Sequence, residues 1–183
     1  SMHIADRLEA RGWIGHFFIT TDRIGYRAFL SAGEIGELHQ RGHIVGSHSH
    51  THPERMWALT QAELVNEWAT SSAILADHLG APVTVASVPG GFYRRRVAEA
   101  AAEAGLCVLF TSEPSTRLTY VDGCAVLGRF NVDGRSSPTA AAGIAGGDRL
   151  PRLRQWAHWN AKKVAKTVAG NSYAAVRRMV LGS

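Results

Sequence analysis

Three histidines fall within five residues, in the run His48-Ser49-His50-Thr51-His52, one residue after the apolar Ile44-Val45-Gly46 and directly before Pro53. Imidazole is a common ligand of divalent metals, so three rings in so short a run suggest a metal site. His48 and His52 are four residues apart. On a helical turn that spacing puts both rings on one face, where they can reach a single ion. His50 lies between them and is expected to point elsewhere. Ser49 and Thr51 can cap the turn or orient the rings. Zinc, cobalt, nickel and iron all suit neutral imidazole, so the spacing leaves the metal open. A plainer reading also stays open: a histidine-rich surface loop with no ligand role.

Apolar and helical segments alternate on both sides of the run. Residues 3–11 pattern as a short amphipathic helix through Ile4 and Leu8, stopped by Gly12. Residues 13–20 are aromatic and β-branched and predict a buried strand. Ser31 and Glu34 have capping-box spacing and open a helix that ends near Gly42. Residues 43–46 predict a second strand. Thr60 and Glu63 repeat the capping box, and Leu64, Trp68, Leu75 and Leu79 follow at helical spacing up to Gly80. Residues 83–88 predict a strand and 93–104 an Ala-rich helix ended by Gly105. Strands are predicted over 107–110 and 126–132, and a helix over 138–146. Such alternation argues for an α/β fold with a parallel sheet. Sites in these folds lie at the C-terminal ends of strands, where the histidine run stands.

At 183 residues the chain is one domain by size, long enough to bury a substantial core. Apolar residues make up 45% and charged residues 19%, an ordinary soluble composition. No apolar run approaches the roughly 18 residues that span a bilayer, and no signal peptide is visible. Cys107 and Cys124 are too few for a disulfide framework. They are expected as buried thiols in a reducing, cytoplasmic setting.

Charge divides the chain. Residues 1–148 hold 12 Arg, no Lys and 15 Asp plus Glu, whereas residues 149–183 hold 8 Lys plus Arg and no acid. The net charge of +5 therefore belongs to the tail. A site-bearing domain over 1–148 and a basic amphipathic helical tail over 149–183 are expected. In the tail, Leu150, Leu153, Trp156, Val164 and Val168 recur near helical spacing. Such a helix can contact an anionic membrane surface, but an apolar stripe more often serves packing, which is the expectation here. Residues 1–148 lack the aromatic-basic pattern of a nucleic-acid domain, so no nucleic acid is expected as partner.

Three segments stand in a fixed order: Gly-His-Phe-Phe-Ile-Thr at 15–20, Gly-His-Ile-Val-Gly-Ser-His-Ser-His-Thr-His-Pro at 42–53, and Ser-Val-Pro-Gly-Gly-Phe-Tyr at 87–93. In order and spacing they resemble the polysaccharide deacetylase family, also called the NodB-homology domain, over roughly residues 3–130. The resemblance implies a distorted (β/α)7 barrel that hydrolyses N- or O-acetyl groups on a sugar or polysaccharide. It implies that His48 and His52 hold a divalent metal, zinc first, with cobalt, nickel or iron as alternatives. A carboxylate would take a proton from water, and a late-strand histidine would protonate the leaving amine. Pro89, Gly90, Gly91, Phe92 and Tyr93 correspond to a wall of the substrate groove. Two glycines there let a sugar approach the backbone, and Phe92 or Tyr93 can stack on its ring. A plain strand-to-helix turn is compatible with that role.

The chain departs from the family's pattern where its acids should be. The Thr-Phe-Asp-Asp-Gly strand, source of the catalytic base and the third metal ligand, has no counterpart, and residue 1 falls within the helix that should follow it. The barrel is therefore expected to be incomplete. Its open edge beside strand 13–20 could pair two copies in a homo-oligomer. Asp6 is expected to face solvent. Asp22, after strand 13–20, is the stand-in for a catalytic carboxylate, against an ordinary turn role with Arg23 and Gly25. Ser87 replaces the groove arginine, and Arg94, Arg95 and Arg96 are expected as a solvated helix start. The late Leu-x-His motif is absent, and His158 lies in the tail between Trp156 and Trp159. Three functions stay open. The first is a fragment of a working deacetylase whose first strand was lost by truncation or a mis-set start codon. The second is a degenerate module that binds sugar or metal without cleaving, and that need hold no metal. The third is an interaction protein acting through its basic tail.

Overall fold

In the computed structural model, which describes residues 1–162 apart from Phe92 and Arg135, strands and helices alternate as the apolar pattern requires. Helix α1 (Met2–Glu9) turns Ala5 inward and leads to β1 (His16–Ile19). Ser31 caps α2 (Ala32–Gln40) reciprocally: Glu34 N–H donates to Ser31 Oγ, and Ser31 N–H donates to the Glu34 carboxylate. Strand β2 (Ile44–Ser47) follows. The same cap, Thr60 with Glu63, opens α3 (Gln61–Leu79), which ends at Gly80. Then come β3 (Val85–Ser87), α4 (Arg95–Glu103) and β4 (Val108–Phe110).

Strands β1 to β4 are parallel and lie side by side in chain order. Strand β4 also pairs in parallel with β6 (Cys124–Leu127), and β5 (Leu118–Val121) lies antiparallel beside β6. The sheet ends at β1 on one side and at β5 on the other. The expected α/β architecture is present, and the sheet, unclosed among the described residues, is in keeping with an incomplete barrel. Gly46 of β2 is required by closeness, since a Cβ there would sit 2.6 Å from the Val85 carbonyl oxygen and 2.8 Å from the Phe18 ring.

Two apolar clusters hold the layers together. One gathers Leu64, Trp68, Ala86, Val97, Leu109 and Val126. The other gathers Ala5, Ile19, Ile35, Leu38, Val45 and Leu75. Helix α3 feeds both, as the Leu64-Trp68-Leu75 spacing predicts. Its inward stripe also carries Glu67 and Ser71. Polar groups buried on an apolar stripe must find partners. Theirs lie in and beside the histidine run.

Several sequence expectations are corrected. The strand predicted over 126–132 stands instead at Cys124–Leu127, as the second arm of a hairpin whose first arm is β5. Asp122 (φ 47°) and Gly123 (φ 85°) make its two-residue turn, and Asp-Gly is a pair that primed hairpin turns favour. Cys107 is exposed rather than buried. Cys124 is buried, and burial pushes its thiol up to about 11.

Residues 1–112 with 116–128 form one unit, and residues 113–115 with the described residues from 129 onward a second. Within the second unit Ser137 caps α5 (Pro138–Gly146), and residues 149–162 are helical. Gln155 brackets the Asn131 backbone with two hydrogen bonds of 2.7 Å, and Arg152 lies 4.9 Å over the Phe130 ring. Leu150, Leu153 and Trp156 are exposed. The remainder of the expected tail, 163–183, lies outside the described residues. Among the described residues no helix is long and apolar enough to cross a membrane.

Candidate functional site

Strand β2 delivers the histidine run to the C-terminal edge of the sheet. His48 N–H donates to the Ile19 carbonyl at 2.8 Å, so the run begins in register with β1. It does not form the helical turn that the four-residue spacing suggests. Ser49 and His52 instead sit at φ 64° and 58°, a region that costs a non-glycine residue about 1 kcal/mol. Folded this way, the run brings the His48 and His52 rings edge to face with centroids 5.1 Å apart. His50 turns away, its Nδ1 3.0 Å from Thr21 Oγ1.

Hydrogen bonds from buried groups hold the kink. Glu67 Oε2 accepts the His50 and Thr51 N–H groups at 2.9 Å each, and Oε1 accepts the Thr51 hydroxyl at 2.7 Å. His52 N–H donates to Ser49 Oγ at 3.0 Å. Ser49 N–H donates to Ser47 Oγ at 3.1 Å, and Ser47 Oγ donates in turn to Ser71 Oγ at 2.8 Å. Ser47, Ser49 and Ser71 are fully buried. Helix α3 thus anchors the run through Glu67 and Ser71, one turn apart.

Strand β3 fixes one ring. His48 Nδ1 lies 2.9 Å from the Ser87 carbonyl oxygen and 2.7 Å from Ser87 Oγ. A carbonyl oxygen only accepts, so Nδ1 carries the proton and Nε2 carries the lone pair that a metal requires. His48 and His52 line a pocket of about 350 Å³ together with Phe18, Thr20, Arg23 and Phe29. This donor set fits two positions of a metal shell. Among the described residues no group of three His, Cys, Asp or Glu gathers to hold an ion, and no carboxylate lines the pocket.

The remaining residues singled out in the sequence stand around this centre. Asp22 occupies the 3-10 turn Thr21–Arg23 after β1. Its N–H donates to the His50 carbonyl at 3.1 Å, and its carboxylate lies 3.6 Å from Arg23 Nε, outside the pocket lining. Pro89, Gly90 and Gly91 form a turn after β3, with Gly90 at φ 65°. A Cβ at Gly90 would lie 3.4 Å from the Glu54 carbonyl oxygen, so this turn runs beside the chain leaving the histidine run. Tyr93 is half-buried against the Trp68 cluster. Phe92 lies outside the described residues. Arg94 precedes α4 with its guanidinium 4.6 Å over the Trp57 ring, and exposed Arg95 pairs with Glu99 at 2.9 Å, as expected of a solvated helix start. His158 is exposed within the second unit.

Glu67, Ser71 and Phe29 belong to the site without any motif to announce them. The signal for the first two was their place on the buried face of an apolar helix. Phe29 had no signal beyond being an aromatic residue in a loop.

The polysaccharide deacetylase family profile matches residues 1–109. A comparison with curated proteins finds no match. Among solved structures, Streptococcus pyogenes deacetylase PplD in complex with acetate is similar with a TM-score of 0.67 at 18% identity, over 77% of this chain and 62% of that one. IcaB from Ammonifex degensii gives 0.64 at 24% identity, over 78% and 66%. BA3943 from Bacillus anthracis, a CE4 family pseudoenzyme, gives 0.52 at 18% identity, over 59% and 37%. At these identities the likeness is one of fold. The chain spans less than two thirds of the length of each.

Proposed function

Because this chain belongs to the polysaccharide deacetylase family, we propose that its pocket receives an acetylated sugar of a polysaccharide beside a divalent metal held by His48 and His52. The observation that carries this reading is the pair of rings 5.1 Å apart on the pocket wall, with His48 Nδ1 tied to Ser87. A divalent metal such as zinc, when bound, polarises an acetyl carbonyl and lowers the pKa of water. The chain's own residues present the His48 Nε2 lone pair and hold the loop through Glu67. Acetyl hydrolysis also needs a carboxylate to take a proton from water, and none lines the pocket among the described residues. Sugar and metal binding are therefore assigned to these residues, and hydrolysis to a site completed by an acid from outside them. A binding role without cleavage is the second reading, favoured by that missing acid.

Calorimetric zinc titration of the full chain tests the assignment. Saturable binding, lost in both His48→Ala and His52→Ala, is expected, with weak or absent acetate release from N-acetylglucosamine oligomers. Equal zinc uptake by wild type and both variants would remove the metal site. Rapid acetate release abolished by His48→Ala would show that the pocket is already complete.

A further inference from the structure

The loop after β1 forms part of the histidine pocket, and nothing in the sequence motifs accounts for it. It is closed at its base by Gly25 N–H donating to the Leu30 carbonyl at 2.9 Å, and tightened by Phe29 N–H donating to the Tyr26 carbonyl at 2.9 Å. Ala28 inside it is held at φ 70°. Non-glycine residues kept in this region concentrate at ligand clamps, because surrounding structure must over-determine them. The closed loop sets two aromatic rings outward, Tyr26 at 65% and Phe29 at 47% exposed. Their placement differs. Phe29 lines the pocket with His48 and His52, whereas Tyr26 does not. The Arg23 guanidinium lies 5.5 Å over the Phe29 ring and lines the same pocket. One face of the Phe29 ring is thus backed by a cation, which steadies it.

A half-exposed aromatic ring in a pocket also lined by Arg23, Thr20, His48 and His52 is an amphipathic surface. A pyranose ring is amphipathic in the same sense, with an apolar C–H face and polar edges. A pocket of about 350 Å³ is at the small end of ligand sites and admits about one sugar ring. We propose that Phe29, backed by Arg23, is the stacking wall for the N-acetylhexosamine unit whose acetyl group faces His48 and His52. This assignment rests on the sugar-binding reading above. It adds a recognition element from the loop over 24–30, separate from the Pro89–Gly91 turn.

Binding of chitotriose, an N-acetylglucosamine trimer, to the full chain tests it by calorimetry in the absence and presence of zinc. Phe29→Ala is expected to weaken binding about tenfold, from the loss of one ring's stacking. Phe29→Trp should stay within about threefold of wild type, because a larger ring still stacks. Tyr26→Ala, more exposed on the same loop but outside the pocket, should change little. Circular dichroism of each variant controls for folding, which substitution of a half-exposed ring should leave intact. Wild-type affinity in Phe29→Ala would overturn the inference alone. So would an equal loss in Tyr26→Ala, which would mean that loop integrity and not stacking is measured. If wild type binds no chitotriose, the sugar reading falls and this assignment falls with it.

Discussion

Glu67 holds Thr51 with both carboxylate oxygens, Oε2 accepting the Thr51 N–H at 2.9 Å and Oε1 accepting its hydroxyl at 2.7 Å. Oε2 accepts the His50 N–H as well. One side chain on α3 therefore satisfies three donors of the segment that carries the two pocket histidines. Only 8% of Glu67 is exposed, so water has little room to replace it.

Glu67→Ala should cost about 2 kcal/mol, because it removes three hydrogen bonds to one buried carboxylate from half-buried His50 and exposed Thr51, whose donors water can partly satisfy. Released from its anchor, the loop can relax Ser49 and His52 out of their positive-φ conformations. Zinc affinity should fall by about 10- to 100-fold, the range seen when groups that orient metal ligands are removed. Glu67→Gln keeps one acceptor oxygen and should fall between. Urea denaturation and zinc titration measure the two effects. A variant with the wild-type midpoint and affinity would show that the kink stands without Glu67.

Ser87 contacts His48 Nδ1 through both its carbonyl oxygen and its hydroxyl. Only the carbonyl forces Nδ1 to carry the proton, since the hydroxyl can donate or accept. Ser87→Ala should therefore preserve the Nδ1–H tautomer and change zinc affinity by less than about threefold. Long-range nitrogen–proton correlation spectra of the ring check this. An Nε2–H tautomer in wild type would reverse the assignment of the metal-facing nitrogen.

Much of this was legible in the chain because it depends on local rules. Ser31 with Glu34 and Thr60 with Glu63 are capping boxes by spacing and capping boxes in space. His48, His50 and His52 could be sorted by which rings point together, because a backbone turn within five residues is a local matter. The mechanism of that turn was not legible. The spacing suggested a helix, whereas the structure uses two residues at positive φ, and their neighbours His50, Ser47 and His48 are held by Glu67, Ser71 and Ser87 from two other elements. Such partners are 16 to 39 residues away in sequence, so no window of periodicity contains them. Phe29 enters the pocket through a loop closure, Gly25 to Leu30, that leaves no repeat or spacing to read. The β5–β6 hairpin is a different case. Its Asp122-Gly123 signal is local, and the apolar run after it drew the predicted strand too far along the chain.

The junction of α1 and α2 should respond to acid. Arg41 bonds Glu9 at 2.7 and 2.9 Å, Asp6 at 2.6 Å and Glu37 at 3.1 Å. The Arg41 hydrogen bond, opposed by desolvation and aided by the Arg41 charge, holds the Glu9 carboxyl below its ordinary 4.5. A depressed folded-state value means the unfolded chain binds the proton more readily. The stabilisation is therefore present above about pH 4.5 and lost as pH falls through the lower, folded value. Arg41→Ala should lower the urea midpoint at neutral pH and flatten the acid limb below pH 4.5. Parallel acid limbs for wild type and variant would mean that Glu9 gains nothing from Arg41 on folding.

Gly46 links sheet packing to the site. It pairs in register with Phe18, and the next residue, Ser47, receives the Ser49 N–H that starts the kink. A Cβ at 46 would stand 2.6 Å from the Val85 carbonyl oxygen and 2.8 Å from the Phe18 ring. The ring can swing aside, but Val85 O is backbone of β3 and can yield only if β2 and β3 part. Gly46→Ala should therefore cost about 1–3 kcal/mol, the range of an overpacked core. It should also displace Ser47 and loosen the meeting of the His48 and His52 rings. Denaturation gives the first quantity, and zinc affinity of the still-folded variant gives the second. Wild-type values for both in Gly46→Ala would show that the β2–β3 spacing gives way without strain and that the site does not depend on it.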